Sequence, residues 1–138
     1  GFAHFRAKRE AAGAAYRMAG INDPRQQIDV AEIADTFTGA ELQAYEDLGF
    51  CDRGESGPLT ERGVFDLGGQ LPTNTSGGLI GQGAPPGGVG VAQAVEVMKQ
   101  LRGECPEARQ VKGAHTGLAE IHGGTSSFSV VSIFTGEH

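Results

Sequence analysis

Histidine exchanges protons most readily near neutral pH, and this chain has four: His4, His115, His122 and His138. His4 and His138 stand near the ends and carry no argument. His122 is followed by Gly123 and Gly124, which let a backbone approach a ligand closely, so it is the first candidate for a general base. His115 falls between Ala114 and Thr116 on an expected strand and reads first as a hydrogen-bonded structural residue, second as a proton carrier. Asp35 precedes Thr36 and Phe37 and could orient a neighbour or cap the next helix. Thr36 offers a hydroxyl, but one too weakly acidic for proton transfer. Cys51 and Cys105 show no metal-ligand spacing and read as reduced structural thiols, so no metal site is expected.

The elements that must position these groups follow from periodicity. Phe2 to Met18 reads as an alanine-rich helix ended by Gly20 and the Asn22-Asp23-Pro24 turn. Gln27 to Ile33 has the alternation of a short strand. Thr38 with Glu41 forms a capping box for a helix carrying Leu42, Tyr45 and Leu48, closed by Gly49. Residues 52–72 read as a loop-rich excursion. A glycine-dense run from Asn74 to Gly90 then opens a helix from about Val91 to Leu101, with Ala94, Val95, Met98 and Leu101 expected to be buried. Gln110 to Leu118 and Ser127 to Phe134 are the closing strands. The order implies a layered α/β domain with a mixed sheet, and three strands are few for this many helices, so partner strands are expected elsewhere.

Composition narrows the function classes. At 138 residues the chain suits one domain, and 23 glycines without a collagen period mean many tight turns. A net charge of -6 argues against a nucleic-acid surface. Eight acids against one base between Asp29 and Glu55 read as a solvated acidic face, or a docking surface for a basic partner. No segment resembles a signal peptide or a span of about 20 apolar residues, so neither membrane insertion nor export is expected; a cytoplasmic location is. The run Gly87-Gly88-Val89-Gly90 lacks the lysine of a P-loop and the spacing of a dinucleotide fingerprint.

Three blocks together resemble the C-terminal half of thiolases, most closely the sterol-carrier (lipid-transfer) and archaeal branches. They are Asp29-Val-Ala-Glu-Ile-Ala-Asp-Thr-Phe-Thr-Gly-Ala-Glu-Leu, then Leu71 to Ala94 with Asn74-Thr-Ser-Gly-Gly and Gly83-Ala-Pro, and last Glu120-Ile-His-Gly-Gly-Thr. The resemblance implies a thiolase-like C-terminal domain over residues 1–138, with its active site facing an N-terminal half that supplies a cysteine nucleophile and is absent from this chain. It implies a coenzyme A thioester as substrate and no covalently bound cofactor. It places Ala34, Thr36, Phe37, Asn74, Ser76, Gly77, Gly78, Gly83, Ala84, Pro85, Gly123 and Gly124 around an acyl-CoA pocket, with His122, Asp35 and His115 as catalytic candidates. Implied partners are an N-terminal half or a thiolase paralogue, and an OB-fold protein with a zinc ribbon, in an oligomer.

The pattern breaks where the chemistry sits. The resembling family has His-Asp-x-Phe and Gly-His-Pro; here Ala34-Asp35-Thr36-Phe37 and Gly83-Ala84-Pro85 stand instead. Those histidines would donate to the oxyanion and activate the nucleophile, and alanine can do neither. Ordinary thiolysis is therefore not expected. Two readings follow: a component of an acyl-CoA carbon–carbon lyase or acyltransferase with substituted chemistry, or a non-catalytic subunit that stabilises an active relative. Two alanines also widen the pocket, which would favour a bulky acyl group.

Overall fold

The computed structural model describes residues 4–124 and 126–136; Phe2, Thr125 and His138 lie outside them. Alanines at close spacing favour helix α1, Arg6–Ala19, which ends where Gly20 turns left-handed at φ 71°. Pro24 opens the single turn α2, Pro24–Gln27, where its missing N–H costs nothing, and the Asp23 side chain accepts from the Arg25 N–H. The chain then enters β1, Val30–Glu32. Helices α3, Thr38–Asp47, α4, Ser56–Glu61, α5, Gly78–Gln82, and α6, Val89–Arg102, follow. The hairpin of β2, Thr116–Gly123, and β3, Phe128–Thr135, closes the fold.

The sheet is mixed, in the order β1-β2-β3, with β1 parallel and β3 antiparallel to β2. The helices and mixed sheet make this a layered α/β domain, as the sequence predicts. Register separates two faces. Ala31 pairs with Leu118, and these turn toward α1 and α3, joining a core of Ala12, Ala44, Tyr45, Leu48, Phe50 and Phe65. The rings of Tyr45 and Phe65 stack with centroids 3.7 Å apart, a contact worth roughly 1 kcal/mol beyond area burial. On the other face Val30 pairs with Gly117 and Glu32 with Ala119, beneath α6. At Gly117 a Cβ would lie 2.3 Å from Val97, so only glycine admits the helix this close.

Several expectations shift. The first strand is three residues long, because the chain from Pro24 to Gln27 coils. Gln110–Ala114 does not belong to β2, which starts at Thr116. The Thr38 hydroxyl makes no cap; Phe37 holds the N-cap position, and Glu41 instead accepts from the Tyr45 hydroxyl and the Asn74 amide. The excursion at 52–72 contains α4. The acidic stretch is no uniform solvated face, since Glu32, Asp35 and Asp47 are buried. Most telling is α6: it buries Val89, Gln93, Glu96, Val97 and Gln100, while of the residues expected to be buried Val95 is 39% exposed and Ala94, Met98 and Leu101 are only half-buried; Val91 is exposed as well.

Candidate functional site

The site grows from the end of β1. Asn74 accepts from the Ile33 N–H through its side-chain oxygen at 2.8 Å, and its own N–H donates to Ala31 at 2.8 Å. Asn74 does this from a left-handed backbone, φ 55°, which asparagine tolerates better than most residues. The glycine-rich segment is thus clamped beside the strand. Two residues on, Ser76 donates its N–H and hydroxyl to the two Glu32 oxygens at 3.0 and 2.6 Å. Asp35 accepts from the Leu79 N–H at 2.6 Å, holding the start of α5. At Gly78, φ 62°, a Cβ would lie 2.1 Å from the Asp35 carboxylate, so the position requires glycine twice over.

The clamp fixes where the exposed Gly83-Ala84-Pro85 loop emerges. Glu32, Ser76, Gly78, Gly83, Pro85 and Gln93 are among the walls of a pocket of about 100 Å³ below it. Of the expected acyl-pocket residues, the structure brings Asn74, Ser76, Gly77, Gly78, Gly83 and Pro85 together with the buried Ala34 and Asp35. Thr36 and Phe37 lead away from them into α3; both are exposed, Phe37 at 73%.

His122 lies on the opposite sheet face, against α1. Its ring is 5.9 Å from that of Phe5, and its Nδ1 is 3.4 Å from a Glu120 oxygen without hydrogen-bond geometry. Glu120 is fully buried beside the equally buried Lys8, whose Nζ is 3.4 Å away. Glu120 also accepts from the Ser129 hydroxyl at 2.9 Å and the Ala34 N–H at 3.2 Å. Burial pushes this carboxyl up, but the His122 ring, the Lys8 ammonium and the Ala34 N–H outweigh it and hold the group below the usual range. Removing one partner of such a pair typically costs about 3–5 kcal/mol, because the other charge stays buried. Gly123 packs against the Phe128 ring and Gly124 turns at φ 54°, shaping the hairpin next to His122.

His115 stands beyond the other end of β2, exposed, with its backbone N–H on Asp29 at 2.8 Å. Seven residues of extended chain, about 23 Å, separate it from His122, so the two cannot share one reacting centre. Both thiols are buried, and burial pushes Cys51 up to about 12 and Cys105 up to about 11, the wrong direction for a nucleophile. Both tyrosines serve the packing: Tyr16 donates to the Leu48 carbonyl and Tyr45 to Glu41, and burial raises both hydroxyls. Among the described residues no His, Cys, Asp and Glu cluster could hold a metal ion, and no helix is long and apolar enough to cross a membrane.

Sequence reasoning missed Glu32, Gln93 and Glu120. Burial pushes the Glu32 carboxyl up to about 7; Ser76 pulls against this, and the Glu96 and Asp35 charges add to it. Gln93 is 5% exposed, and neither polar atom of its side chain has a protein partner, an arrangement that costs roughly 1–3 kcal/mol. Its only sequence signal is a polar residue at i, i+3, i+7 spacing with Glu96 and Gln100, which by itself reads as a solvent face.

The comparisons with known proteins agree with this architecture. Residues 2–136 match the family model described as thiolase C-terminal domain-like. The acetyl-CoA acetyltransferase of Methanothermobacter thermautotrophicus is 43% identical over 125 residues, 91% of this chain and 32% of that protein. Bovine (Bos taurus) sterol carrier protein 2 is 45% identical over 114 residues, 83% of this chain and 20% of that one. The solved structure titled Ltp2-ChsH2(DUF35) aldolase superposes with a TM-score of 0.80 at 27% identity, covering 95% of this chain and 32% of its own. The chain thus spans a third or less of the proteins it matches. By sequence and by fold alike, the chain belongs to the family of thiolase C-terminal-like domains.

Proposed function

We propose that this chain forms one wall of an acyl-CoA site whose chemistry departs from thiolysis, as a component of a carbon–carbon bond lyase or acyltransferase. The observation that carries the reading is the clamp of Asn74, Ser76 and Asp35, which sets the Gly83-Ala84-Pro85 loop over a pocket with both apolar and polar walls although Ala34 and Ala84 have no proton to give. A scaffold kept rigid around two alanines has a use if a ligand still binds there. The substrate is a coenzyme A thioester, and no covalently bound cofactor takes part. An N-terminal half or a thiolase paralogue completes the site from across the α6 face, where Val91 and Val95 stand exposed.

Retro-aldol cleavage of a thioester needs a hydroxyl at the carbon beyond the one that is released as carbanion equivalent, and a group to take its proton. His122 is the candidate for that group, from the α1 side of the sheet with its Nδ1 3.4 Å from Glu120; Asp35 acts by positioning the loop. His115 would belong to a different surface. The aldolase title of the structural relative names a DUF35 component, which supports an accessory chain in the assembly. The experiment is to assay the complete protein, with the chains that co-purify, for CoA-dependent cleavage of a 3-ketoacyl-CoA and for cleavage of a 3-hydroxyacyl-CoA. The first should run at background, because losing even one oxyanion donor typically costs about 10²- to 10³-fold. Cleavage of the second, lowered about 10²-fold or more by His122→Ala, supports the lyase; ordinary thiolysis at full rate contradicts the reading. Thiolysis that tracks with a co-purifying chain keeping both histidines would instead make this a supporting subunit.

A further inference from the structure

We propose that Gln93, Glu32 and Ser76 form a polar subsite that takes a hydroxyl group carried on the acyl chain of the thioester. The inference rests on the acyl-CoA reading above and names the substrate feature that the same pocket selects.

Helix α6 turns Gln93, Glu96 and Gln100 toward the body of the domain. Two of the three are saturated by the loop after the helix. Gln100 donates to the Arg109 carbonyl at 2.8 Å and to Thr75 at 2.9 Å, and accepts from the Val111 N–H at 2.8 Å. Glu96 holds the Arg109 guanidinium and the Cys105 thiol. Gln93, one turn nearer the glycine-rich loop, is as buried as they are, yet its amide nitrogen and oxygen have no partner among the described residues. Buried amides in folded proteins are almost always paired, so an orphaned one beside a pocket points to a ligand.

The chemistry of the walls selects that ligand. Gln93 offers a donor and an acceptor at once, and a hydroxyl answers both; a ketone would answer only the nitrogen, and a methylene neither. Glu32 faces the same pocket, with each oxygen already receiving one bond from Ser76 and each keeping lone-pair capacity for another. A carboxyl on the wall disfavours an anionic head group. The volume, about 100 Å³, suits a hydroxyl and the few carbons around it, and Ile33, Leu79 and Val89 supply apolar wall for those carbons. Gln93 also borders a second pocket of about 160 Å³, but its remaining walls are Gly90, Ala94, Ala119, Ile121, Val130 and Ser132, mostly apolar. The polar partner therefore belongs on the Glu32 side, which opens beneath Gly83 and Pro85.

The test is to titrate the complete protein, with its co-purifying chains, with a 3-hydroxyacyl-CoA and with the saturated acyl-CoA of equal length. Native protein should bind the hydroxylated form roughly tenfold or more tightly. Gln93→Met, which nearly keeps the shape, should abolish that preference while leaving the saturated thioester within about twofold. Glu32→Gln, read independently in case Gln93→Met does not fold, should narrow the preference as well. Equal binding of both ligands by native protein overturns the inference and leaves the acyl-CoA reading intact. A Gln93→Met variant that folds but loses both ligands alike also overturns it, since Gln93 would then be structural. Binding of neither ligand by native protein defeats the acyl-CoA reading itself.

Discussion

At the scale of single residues, the end of β1 trades titrating groups for geometry. Asp35 and Gly78 are a steric pair: the carboxylate reaches the Leu79 N–H only because no Cβ stands in its way. Glu32 is the residue whose protonation this arrangement alters most. Its carboxyl is raised to about 7 from the ordinary 4.5, so the folded state holds the proton more tightly than the unfolded chain does. The sign follows: its contribution to stability is complete below about pH 4.5 and is lost as pH rises through 7. Melting temperature measured from pH 4 to 8 should therefore contain a falling component over that interval, and Glu32→Gln should flatten it. A Glu32→Gln profile parallel to that of the native protein would show that the group ionises normally. Of these residues, Asp35, Asn74, Ser76 and the glycines were legible from the resemblance, because their types recur as a block. Glu32 and Glu120 were not, because a glutamate in an alternating strand reads as the solvent-facing partner until the opposite face is seen to be covered.

At the scale of elements, α6 carries the clearest lesson. Its periodicity predicts that Ala94, Val95, Met98 and Leu101 are buried, yet the buried positions are Val89, Gln93, Glu96, Val97 and Gln100. A helix between two layers buries both faces, and the sequence pattern shows which face is apolar without showing which layer it meets. Glu96 and Gln100 can face inward because a loop from Cys105 to Val111 supplies hydrogen bonds to both, a compensation that periodicity does not reveal. The capping box at Thr38 failed for a related reason: Glu41 is drawn away by Tyr45 and Asn74, which lie far apart in sequence. The two long helices were legible because each ends on a left-handed glycine, Gly20 after α1 and Gly103 after α6. If the outward face of α6 is covered in the assembled protein, Val91→Glu should shift native mass toward dissociated species while leaving the far-UV circular dichroism of the parts unchanged. An unaltered mass would mean that this valine is solvent-facing in the assembly too.

At the scale of the whole molecule, the domain has its own core around Leu118, Tyr45 and Phe65 but only three strands among the described residues, and several large apolar side chains lie exposed on it. The chain spans a third or less of the proteins it matches, and the proposal that another segment or subunit covers that exposed face accounts for both facts. The fold is shared with proteins named as an acetyltransferase, a sterol carrier protein and an aldolase, so the shared element is the scaffold and the chemistry is set by the groups placed on it. The central claim is that this scaffold still holds a coenzyme A thioester although Ala34 and Ala84 replace the expected histidines. Calorimetric titration of the complete protein with an acyl-CoA tests it most directly. Saturable binding of one thioester per copy of this chain is the predicted result. A correctly assembled protein that binds no acyl-CoA of any length would contradict it.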